Sequence, residues 1–459
     1  MKLSLGLLPS LLNAQSNALA QQQTTVEAMQ LITDSRQRAR NGLFIAIAGT
    51  RVDGHDFLCK AKENGAVAAL VTRFVDGVDI AQFKVTDTIK AIAAIATWAR
   101  QQSTAKVIGI TGSNGKTTTK AMLSNILERY GSVSVTQGNQ NNEIGVPLTL
   151  CNADEHADYW VVEMGAAKRD DIAYLMTMAS PDVGAITSIG KAHIGRFGSE
   201  ENLVYTKAAI YRDLHDSAVA VINTDIKYAE QWLHARKAKP SLVFSPSGQY
   251  KSSQLWAESI KHHVGSLQFT LCTASQSMPV SMPVSGLHNV GNALCAAACA
   301  LALHVPLTTI QQGLQMFSGV QGRLTIKRSY DNGWIIDDSY NANVESTLAA
   351  IDVLSQYAAN KIMVLGQMNE LGDYTQAGHE QVGDYAAEHV DQLITFGVDA
   401  RFAQVTFDSK VSKPSRHFDA LPALIRYMKT LNLASAAVLV KGSRSNGLEQ
   451  LVAALAQPE

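Results

Sequence analysis

The sequence predicts an α/β protein with three domains, and three observations support this prediction. The chain has 459 residues, which exceeds what one hydrophobic core usually organises and suggests about three domains. Short apolar runs alternate with helical segments along most of the chain, as in proteins built on largely parallel sheets. A glycine-rich turn that starts at Gly112 follows one of these runs and precedes a helical pattern. That arrangement is typical of a phosphate-binding loop.

The composition is that of an ordinary soluble globular protein, with 46% hydrophobic and 17% charged residues. A net charge of −1 provides no basic surface for nucleic acid. The five cysteines lack CxxC spacing, so neither a disulfide framework nor a zinc site is indicated. No apolar run approaches the ~18 residues of a membrane span. We therefore expect a cytoplasmic monomer with no nucleic-acid partner and no stable membrane insertion.

Residues 1–102 are predicted to form a small N-terminal α/β domain. Two apolar runs, Gly42–Ile47 and Ala66–Val71, have the length and composition of buried strands. A helical pattern over Ile89–Arg100 closes this part of the chain. The segment is therefore expected to fold as a unit of its own ahead of the glycine-rich turn.

Residues 103–320 are predicted to form a central domain around a mostly parallel sheet. Its strands are indicated by four apolar runs, Val107–Ile110, Tyr159–Val162, Val183–Ile186 and Val219–Ile222. Between Ser241 and Ser285 the pattern changes to short alternating segments, which predict an antiparallel insertion. A helix over Asn289–Leu303 follows this insertion.

Residues 321–459 repeat the strand–helix alternation and predict a Rossmann-like C-terminal domain. Its strands are indicated by Trp334–Asp337, Lys361–Gly366, Gln392–Gly397 and Ala437–Val440. The turns after these strands contain no GxGxxG sequence, so dinucleotide binding is not supported. The prediction for this domain is therefore a ligand-binding sheet without a nicotinamide or flavin cofactor.

The glycine-rich turn carries the strongest chemical signal. Glycines allow backbone N–H groups to surround phosphate oxygens, and the following helix presents its positive N-terminus to the same anion. In this turn Lys116 would reach the β- and γ-phosphates, and the Thr117 hydroxyl would ligate Mg²⁺. Ile110 stands where a strict P-loop has its first glycine, so the match is a shorter TGxxGKT pattern. A chance Gly-Lys-Thr in a surface loop is the alternative.

Three side chains after the loop could hold a metal ion. Glu163 ends a predicted strand, and His193 follows the next one, so both would lie along the carboxyl edge of the sheet. Lys207 falls on the apolar stripe of a helix, where a desolvated, neutral amine could react with CO₂ to give an anionic carbamate. The alternatives are a solvent-facing glutamate, a packing histidine and a lysine whose stem snorkels to the surface.

The second half of the chain adds polar clusters at predicted strand ends and domain junctions. Asparagine side chains can pair with a purine edge, and arginine can bind phosphate bidentately. Each cluster taken alone could form a turn or cap a helix. Because the clusters occur together at predicted strand ends and domain junctions, contact with a ligand is the favoured interpretation. The clusters are His288–Asn292, Gly319–Arg323, Asp337–Asn343 and Lys441–Arg444.

Taken together, these motifs resemble the Mur ligase family. The resemblance covers essentially the whole chain and rests on many motifs in a fixed order rather than on any single one. In the N-terminal part it includes TDSR, LFIA and DGHDF. Further along, the motifs are ITGSNGKTTTK, NNEIGVPLTL, VEMGA, ITSIGKAHIGRFGS, GLHNVGNALCAAA, GRL, DDSYNAN, VLGQMNELG and VKGSR.

The resemblance implies an ATP-dependent ligase and is strongest to members that extend the UDP-N-acetylmuramoyl-tripeptide with D-alanyl-D-alanine. ATP would phosphorylate the tripeptide carboxylate, and the dipeptide amine would displace phosphate. The N-terminal domain would bind the UDP-substrate, the central domain ATP, and the C-terminal domain the dipeptide. ATP and two Mg²⁺ ions are the implied cofactors, with a carbamate on Lys207.

The family pattern also implies roles for individual residues. Lys116, His193 and Lys207 would be catalytic, and the metal ligands would be Thr117, Glu163, His193 and Lys207. ATP would be bound by Gly112, Ser113, Asn114, Gly115, Lys116, Thr117, Thr118, Asn289, Asn292, Arg323, Asp338, Tyr340 and Asn341. The other substrates would be bound by Ser35, Arg36, Asn139, Asn141, Asn142, Lys441, Ser443 and Arg444.

Two departures from the family pattern lie away from these metal and phosphate residues. Val344-Glu345-Ser346 replaces the usual Pro-Asp-Ser, and the segment 37–42 lacks a proline before its glycine. The sequence leaves three alternatives. The ligase that adds the third stem residue has an Asp-Asn-Pro-Arg signature that is absent here. Folylpolyglutamate synthase typically has GKGS in its loop. An ATPase switch would turn over ATP without any amino-acid acceptor.

Overall fold

The computed structural model describes residues 2–28, 30–190, 197–250 and 252–457. Three α/β sheets follow one another along the chain, and we call them the N-terminal, central and C-terminal sheets. They have five, nine and six strands, and a separate two-stranded ribbon lies near the N-terminus. The predicted α/β fold with three domains is confirmed.

The N-terminal sheet has the strand order β2-β7-β6-β5-β4 and is parallel apart from the edge strand β2. The strand predicted over Gly42–Ile47 ends at Ile45, because the Ile47 carbonyl accepts a bond from Gly54 in the next loop. The elements are β1 (Leu3–Ser4), α1 (Leu8–Leu12), β2 (Gln15–Ser16), α2 (Ala18–Gln22), β3 (Glu27–Ala28), β4 (Gln30–Ile32), β5 (Gly42–Ile45), α3 (Leu58–Glu63), β6 (Ala66–Val71), β7 (Ala81–Lys84) and α4 (Thr88–Gln102).

The central sheet has the strand order β16-β15-β14-β13-β12-β11-β8-β10-β9, which places β8 between two parallel neighbours. Its elements are β8 (Lys106–Thr111), α5 (Lys116–Leu127), β9 (Val133–Val135), α6 (Gly145–Cys151), β10 (Tyr159–Glu163), α7 (Asp171–Ala179), β11 (Val183–Ile186), α8 (Glu200–Arg212), β12 (Val219–Asn223), α9 (Ala229–Arg236), β13 (Ser241–Ser245), β14 (Leu255–His263), β15 (Ser266–Cys272), β16 (Ser277–Met282), α10 (His288–Ala302) and α11 (Leu307–Gln315).

The segment predicted as an antiparallel insertion differs in two ways from that expectation. It continues the central sheet rather than standing apart from it, and β13 and β14 are still parallel to their predecessors. The antiparallel pairings are those of β14 with β15 and of β15 with β16. The alternating sequence arises because one face of these strands is buried and the other is not. Alternation therefore reports half-burial and does not by itself report strand direction.

The C-terminal sheet has the order β17-β18-β22-β19-β20-β21 and is parallel except for β17. Strand β21 was not predicted, because it is a partly exposed edge strand without an apolar run. The elements are β17 (Thr325–Arg328), β18 (Trp334–Asp338), α12 (Val344–Ser355), β19 (Asn360–Gly366), α13 (Thr375–His389), β20 (Gln392–Phe396), α14 (Arg401–Lys410), β21 (Ser415–Phe418), α15 (Leu421–Met428), β22 (Ala436–Lys441) and α16 (Glu449–Leu455).

Five short 3₁₀ turns connect these elements in the described residues, at Leu5–Leu7, Gly54–Phe57, Gly372–Tyr374, Val398–Ala400 and Arg444–Asn446. Within the same part of the chain, none of the helices combines the length and the apolar character that crossing a membrane requires.

Candidate functional site

A cleft of about 820 Å³ separates the central domain from the C-terminal domain. Both domains contribute the ends of their parallel strands to it, which is where ligands bind in open α/β sheets. Most of the residues predicted from the sequence line this cleft. They are Ser113, Asn114, Gly115, Lys116, Thr117, Thr118, Asn139, Asn141, Asn142, Glu163, Lys207, Asn289, Asn292, Arg323, Asp338, Tyr340, Asn341 and Lys441.

The glycine-rich loop joins the end of β8 to the start of α5. Gly112 and Gly115 have φ angles of +152° and +83°, a region that residues with a Cβ rarely adopt. A Cβ at Gly112 would also collide with the side chain of Thr187, and one at Gly115 with that of Asn292. Both glycines are therefore required by the local geometry. Lys116 begins the helix, and its Nζ donates to the Gly112 carbonyl at 2.8 Å.

The end of the neighbouring strand β11 supports this loop. The Asn114 N–H donates to Ser188 Oγ at 2.8 Å, and Thr187 Oγ1 donates to the Asn114 carbonyl at 2.6 Å. Ser113 Oγ donates to the Gly190 carbonyl at 3.1 Å. These bonds hold the loop against a parallel strand and preorganise its backbone for an anion. His193, predicted as a metal ligand just beyond this strand, lies outside the described residues.

Lys207 lies beneath the loop and is 1% exposed. Its Nζ donates to the Gly112 carbonyl at 3.0 Å, so two lysines share one acceptor. Burial, and then the positive charge of Lys116, hold the pKa of Lys207 well below its ordinary value. The predicted position on an apolar helical face is confirmed, and the snorkelling alternative is wrong. A lowered pKa favours the neutral amine, which is the form that reacts with CO₂.

Glu163 ends β10 and is 1% exposed. Its Oε1 accepts a bond of 2.8 Å from Asn141 Nδ2, and its Oε2 lies 3.1 Å from the Nζ of Lys120. Burial favours the neutral acid, but Lys120 and Lys116 outweigh it and lower the pKa of Glu163. Among the described residues, Oε2 has no hydrogen-bond partner of good geometry. A buried, ionised carboxylate with a free acceptor direction suits a hard cation.

Lys120 was not singled out from the sequence, although it lies one helical turn after Lys116. Its Nζ also donates to the carbonyls of Thr136 and Gly138 at 2.8 and 3.1 Å. The lysine therefore ties helix α5 to Glu163 and to the loop that carries Asn139 and Asn141. The spacing of four from Lys116 is the signal that could have identified it.

We expect Lys120→Met to destabilise the fold by about 3 kcal/mol, because it leaves a buried carboxylate without its cation. Lys106→Met is the matched control, since Lys106 pairs with Asp182 at the surface and such pairs contribute at most about 1 kcal/mol. Urea unfolding of the two variants measures the difference. If the two variants lose equal stability, the buried ion pair of Lys120 contributes no more to the free energy of unfolding than the surface ion pair of Lys106.

Arg323 connects the two walls of the cleft. Its Nη2 donates to Thr117 Oγ1 at 3.0 Å, and its guanidinium lies 4.3 Å from the centre of the Tyr340 ring. The Nε of Arg323 is buried and, in the described part of the chain, has no hydrogen-bond partner. This arginine therefore lies beside the phosphate loop, and its Nε–H has no acceptor among the described residues.

Asn289, at the start of α10, borders a second, smaller cavity of about 260 Å³. Asn292 Nδ2 donates to Asn289 Oδ1 at 2.9 Å, and Asn289 Nδ2 donates to the Ser285 carbonyl at 2.8 Å. This second cavity is lined largely by apolar groups and shares four residues with the main cleft, Thr118, Asn289, Arg323 and Leu324. A flat heterocycle attached to a phosphate chain on the loop would fit this arrangement.

A buried ion pair between Lys441 and Asp338 stabilises the C-terminal wall, and Lys441 Nζ lies 2.5 Å from Asp338 Oδ2. Lys441 also donates to the Asn341 carbonyl at 3.0 Å. Hydrogen bonds also join this wall directly to the phosphate loop. Asn343 Nδ2 donates to Asn114 Oδ1 at 2.7 Å. Asn114 Nδ2 in turn donates to Glu345 Oε2 at 3.3 Å. The two domains therefore meet at the loop itself.

The structure does not bring every predicted residue to this cleft. Ser35 and Arg36 are in the N-terminal domain, where Arg36 is exposed and pairs with Asp34. Ser443 Oγ accepts a bond from the Asn369 N–H beside the cleft, and Arg444 is exposed. Asn142 lines the cleft, and its Oδ1 also accepts bonds from the N–H groups of Ile144 and Gly145 where α6 begins.

No group of three or more His, Cys, Asp or Glu side chains that could hold a metal occurs among the described residues. The predicted metal site draws on other donors as well, because it includes a hydroxyl and a modified lysine. Of the four predicted ligands, Thr117, Glu163 and Lys207 all border the same cleft. The oxygen donors of Thr117 and Glu163 fit Mg²⁺ better than zinc.

The fold and this cleft define a three-domain nucleotide-binding α/β protein, and comparisons with known proteins narrow the class. Three family models match along the chain. They are the Mur ligase family catalytic domain over residues 29–97, the Mur ligase middle domain over 110–300, and the Mur ligase glutamate ligase domain over 322–444.

Relatives cover the chain almost completely. The UDP-N-acetylmuramoyl-tripeptide–D-alanyl-D-alanine ligase of Escherichia coli (strain K12) is 37% identical over 92% of this chain and 92% of its own length. A crystal structure of MurF from Acinetobacter baumannii has a TM-score of 0.88 at 34% identity, covering 99% of this chain and 98% of that one. MurF ligase from Thermotoga maritima in complex with ADP has a TM-score of 0.79 at 26% identity, covering 93% of this chain and 97% of that one. The chain belongs to the Mur ligase family.

Proposed function

We propose that this protein joins D-alanyl-D-alanine to UDP-N-acetylmuramoyl-tripeptide in an ATP-dependent reaction, and so supplies the pentapeptide precursor of peptidoglycan. The observation that carries this proposal is the near-complete match to a relative of that named activity, 37% identical over 92% of the chain. The phosphate loop, which faces a cleft between two domains, supports the ATP-dependent part of the reaction.

The reaction begins when the tripeptide carboxylate attacks the γ-phosphorus of ATP, which gives an acyl phosphate and ADP. Lys116 stabilises the charge on the transferring phosphoryl group, and the loop N–H groups bind the phosphate oxygens. Arg323 has an unused donor beside Thr117 and binds the same phosphate chain. The smaller cavity next to Asn289 receives the adenine ring.

The second step forms the new peptide bond. The amine of the dipeptide attacks the acyl carbon, and the tetrahedral intermediate expels phosphate. Asn139, Asn141 and Asn142 hold the sugar–peptide part of the first substrate near the loop, and Ser35 and Arg36 bind its uridine end. Lys441, Ser443 and Arg444 contribute to the dipeptide side from the C-terminal domain, with Asp338, Tyr340 and Asn341 completing the ATP site.

Mg²⁺, when bound, neutralises phosphoryl charge and aligns the reacting oxygens. Thr117 and Glu163 would hold one ion, and the free acceptor direction of Glu163 Oε2 supports this assignment. A carbamate on Lys207, together with His193, would hold a second. The buried amine of Lys207 beneath the loop, whose pKa is lowered by burial, supports the modification.

Each of the three domains binds a different substrate in the proposed reaction. We propose that residues 1–102 bind the UDP-substrate, residues 103–320 bind ATP, and residues 321–459 bind the dipeptide and close the ATP site. The hydrogen bonds that Asn114 accepts from Asn343 and donates to Glu345 support a closed arrangement in which the C-terminal domain lies against the loop. A monomer in the cytoplasm, where ATP is available, completes the proposal.

An omission experiment tests this function. Phosphate release should require ATP, Mg²⁺, the UDP-tripeptide and D-alanyl-D-alanine together, and leaving out any one should abolish it. Comparing UDP-tripeptides with lysine or diaminopimelate at the third position defines the natural substrate. If another amino acid supports turnover while D-alanyl-D-alanine does not, the assignment is wrong. If ATP turnover needs no acceptor, the protein is an ATPase switch instead.

A further inference from the structure

Asn114 lies in the middle of the phosphate loop, and each of its polar groups bonds to the protein. Its N–H donates to Ser188 Oγ at 2.8 Å, and its carbonyl accepts a bond of 2.6 Å from Thr187 Oγ1. Its side-chain Nδ2 donates to Glu345 Oε2 at 3.3 Å, and its Oδ1 accepts a bond of 2.7 Å from Asn343 Nδ2. The central domain therefore holds the backbone of Asn114, and the C-terminal domain holds its side chain.

The partner residue Asn343 is fixed at the start of α12, where it forms the N-cap. Its Oδ1 accepts a bond of 2.9 Å from the Ser346 N–H, and its N–H donates to Ser346 Oγ at 3.1 Å. Asparagine, aspartate, serine and threonine all form good N-caps, but only asparagine combines the capping acceptor with an amide donor. That donor points at Asn114, so one side chain both caps the helix and contacts the phosphate loop.

The segment that leads to Asn343 is anchored to the sheet of its own domain. Lys441, at the end of β22, pairs with Asp338 and donates to the Asn341 carbonyl at 3.0 Å. On the other side, the Asn343 carbonyl accepts a bond of 2.9 Å from the Thr347 N–H in the first turn of α12. Asn343 therefore moves with the C-terminal domain as a whole.

The two domains also approach closely beside this hydrogen bond. A Cβ at Gly190 would collide with Glu345 Oε2, so the approach requires a glycine there. The Gly190 N–H donates to Ser113 Oγ at 3.0 Å, which ties this glycine to the phosphate loop. The start of α12 therefore docks on a surface formed by the loop and by the segment after β11.

The position of Asn114 also determines where Lys116 points. Lys116 Nζ donates to the carbonyls of Gly112 and Ser113 at 2.8 and 3.3 Å, and Ser113 directly precedes Asn114. Gly115, which follows Asn114, is the N-cap of α5. A shift of Asn114 would therefore move both a carbonyl that orients Lys116 and the start of its helix. Misplacement of a reacting group by about 1 Å can slow a reaction about a hundredfold.

We propose that Asn343 is a positioning residue for phosphoryl transfer, because its hydrogen bond to Asn114 holds the phosphate loop in the reactive geometry while the C-terminal domain is docked. This inference rests on the proposed function and deepens it, since it couples domain closure to the first chemical step. The side chain of Asn114 serves this coupling rather than ATP. As a result, ATP is consumed when the domain proposed to bind the dipeptide is in place.

Single-turnover formation of ADP by Asn343→Ser, with UDP-tripeptide and Mg²⁺ present, tests the proposal. Serine keeps the N-cap of α12 but is too short to reach Asn114 Oδ1. The rate should fall about tenfold or more, while the Kd of a non-hydrolysable ATP analogue stays within about twofold of the wild-type value. Asn432→Ser is the matched control, because Asn432 also accepts a backbone bond, from the Ala434 N–H, in the exposed loop before β22. Both quantities should be unchanged in this control.

Two results for Asn343→Ser would overturn the inference. An unchanged rate of ADP formation would show that the hydrogen bond to Asn114 does not position the loop. A Kd for the analogue that rises as much as the rate falls would identify Asn343 as a nucleotide ligand.

A double-mutant cycle with Asn114→Ala tests whether the two side chains act through each other. The double variant should form ADP no more than about twofold more slowly than the slower single variant, because either substitution already breaks the same bond. Effects that multiply would show independent roles and would contradict the coupling. ADP formation precedes the reaction of the dipeptide, so this result does not depend on the acceptor. Failure of the proposed function would be seen instead as wild-type enzyme that forms no peptide bond with D-alanyl-D-alanine.

Discussion

Lys207→Ala should lose activity by about a thousandfold, and a short carboxylic acid such as acetate should restore part of it. The lysine has a buried amine beneath the phosphate loop and shares the Gly112 carbonyl with Lys116. A second cation at full charge is unfavourable there, so we expect the amine to carry a carbamate that supplies anionic oxygens to the site. Truncation to alanine leaves space in which an added carboxylate can replace those oxygens.

Lys207→Arg is the control for this prediction, because it keeps a positive charge and cannot form a carbamate. It should be as inactive as Lys207→Ala and should not respond to acetate. In addition, ¹³C-labelled bicarbonate should give a carbamate carbon signal in wild type that is missing from Lys207→Met. Activity retained by Lys207→Arg, or no rescue in Lys207→Ala with the fold and Mg²⁺ binding intact, would indicate a purely structural lysine.

Lys116→Met should reduce kcat by about a hundredfold to a thousandfold and change the KM for ATP much less. The Nζ of Lys116 is aimed into the loop by the carbonyls of Gly112 and Ser113, and its charge is needed mainly as the phosphoryl group transfers. Lys429→Met removes an exposed lysine of the C-terminal domain and should have ordinary kinetics. Rapid-quench measurement of ADP formation reports the affected step directly.

The outcome that contradicts this role is equally specific. A Lys116→Met enzyme with normal kcat and a strongly raised KM for ATP would show that the lysine binds nucleotide in the ground state only. Loss of the unfolding transition would show that the substitution has disrupted the loop. The Lys207 bond to the same carbonyl remains in this variant, which favours an intact loop.

Much of the fold was predictable because local rules and tertiary structure agree in this chain. The strands over Ala66–Val71 and Val183–Ile186 were predicted to the residue, since each is a buried apolar run in a parallel sheet. The place of Lys207 on a helical stripe left two interpretations, a buried amine and a stem that snorkels to the surface, and only the folded structure distinguishes them. Strand direction in β13 and β14 did not follow, because alternation reports burial rather than direction.

The site was only partly predictable, because its essential contacts join residues far apart in sequence. Arg323 bonds to Thr117, and Asn343 bonds to Asn114, across more than two hundred residues in each case. No local pattern in the sequence encodes these pairings. The spacing of Lys120 from Lys116 could have identified this lysine, but only the folded structure shows its ion pair with Glu163.

In the proposed reaction the tripeptide carboxylate is activated by phosphoryl transfer from ATP on the loop and is then captured by D-alanyl-D-alanine. Isotope transfer follows the carboxylate oxygen through these two steps. UDP-N-acetylmuramoyl-tripeptide labelled with ¹⁸O in its terminal carboxylate is converted in the presence of ATP, Mg²⁺ and the dipeptide, and the released phosphate is analysed by mass spectrometry. We expect one ¹⁸O atom in each phosphate and one new peptide bond for each ATP consumed. Unlabelled phosphate, or release of AMP and pyrophosphate, would contradict the proposed reaction.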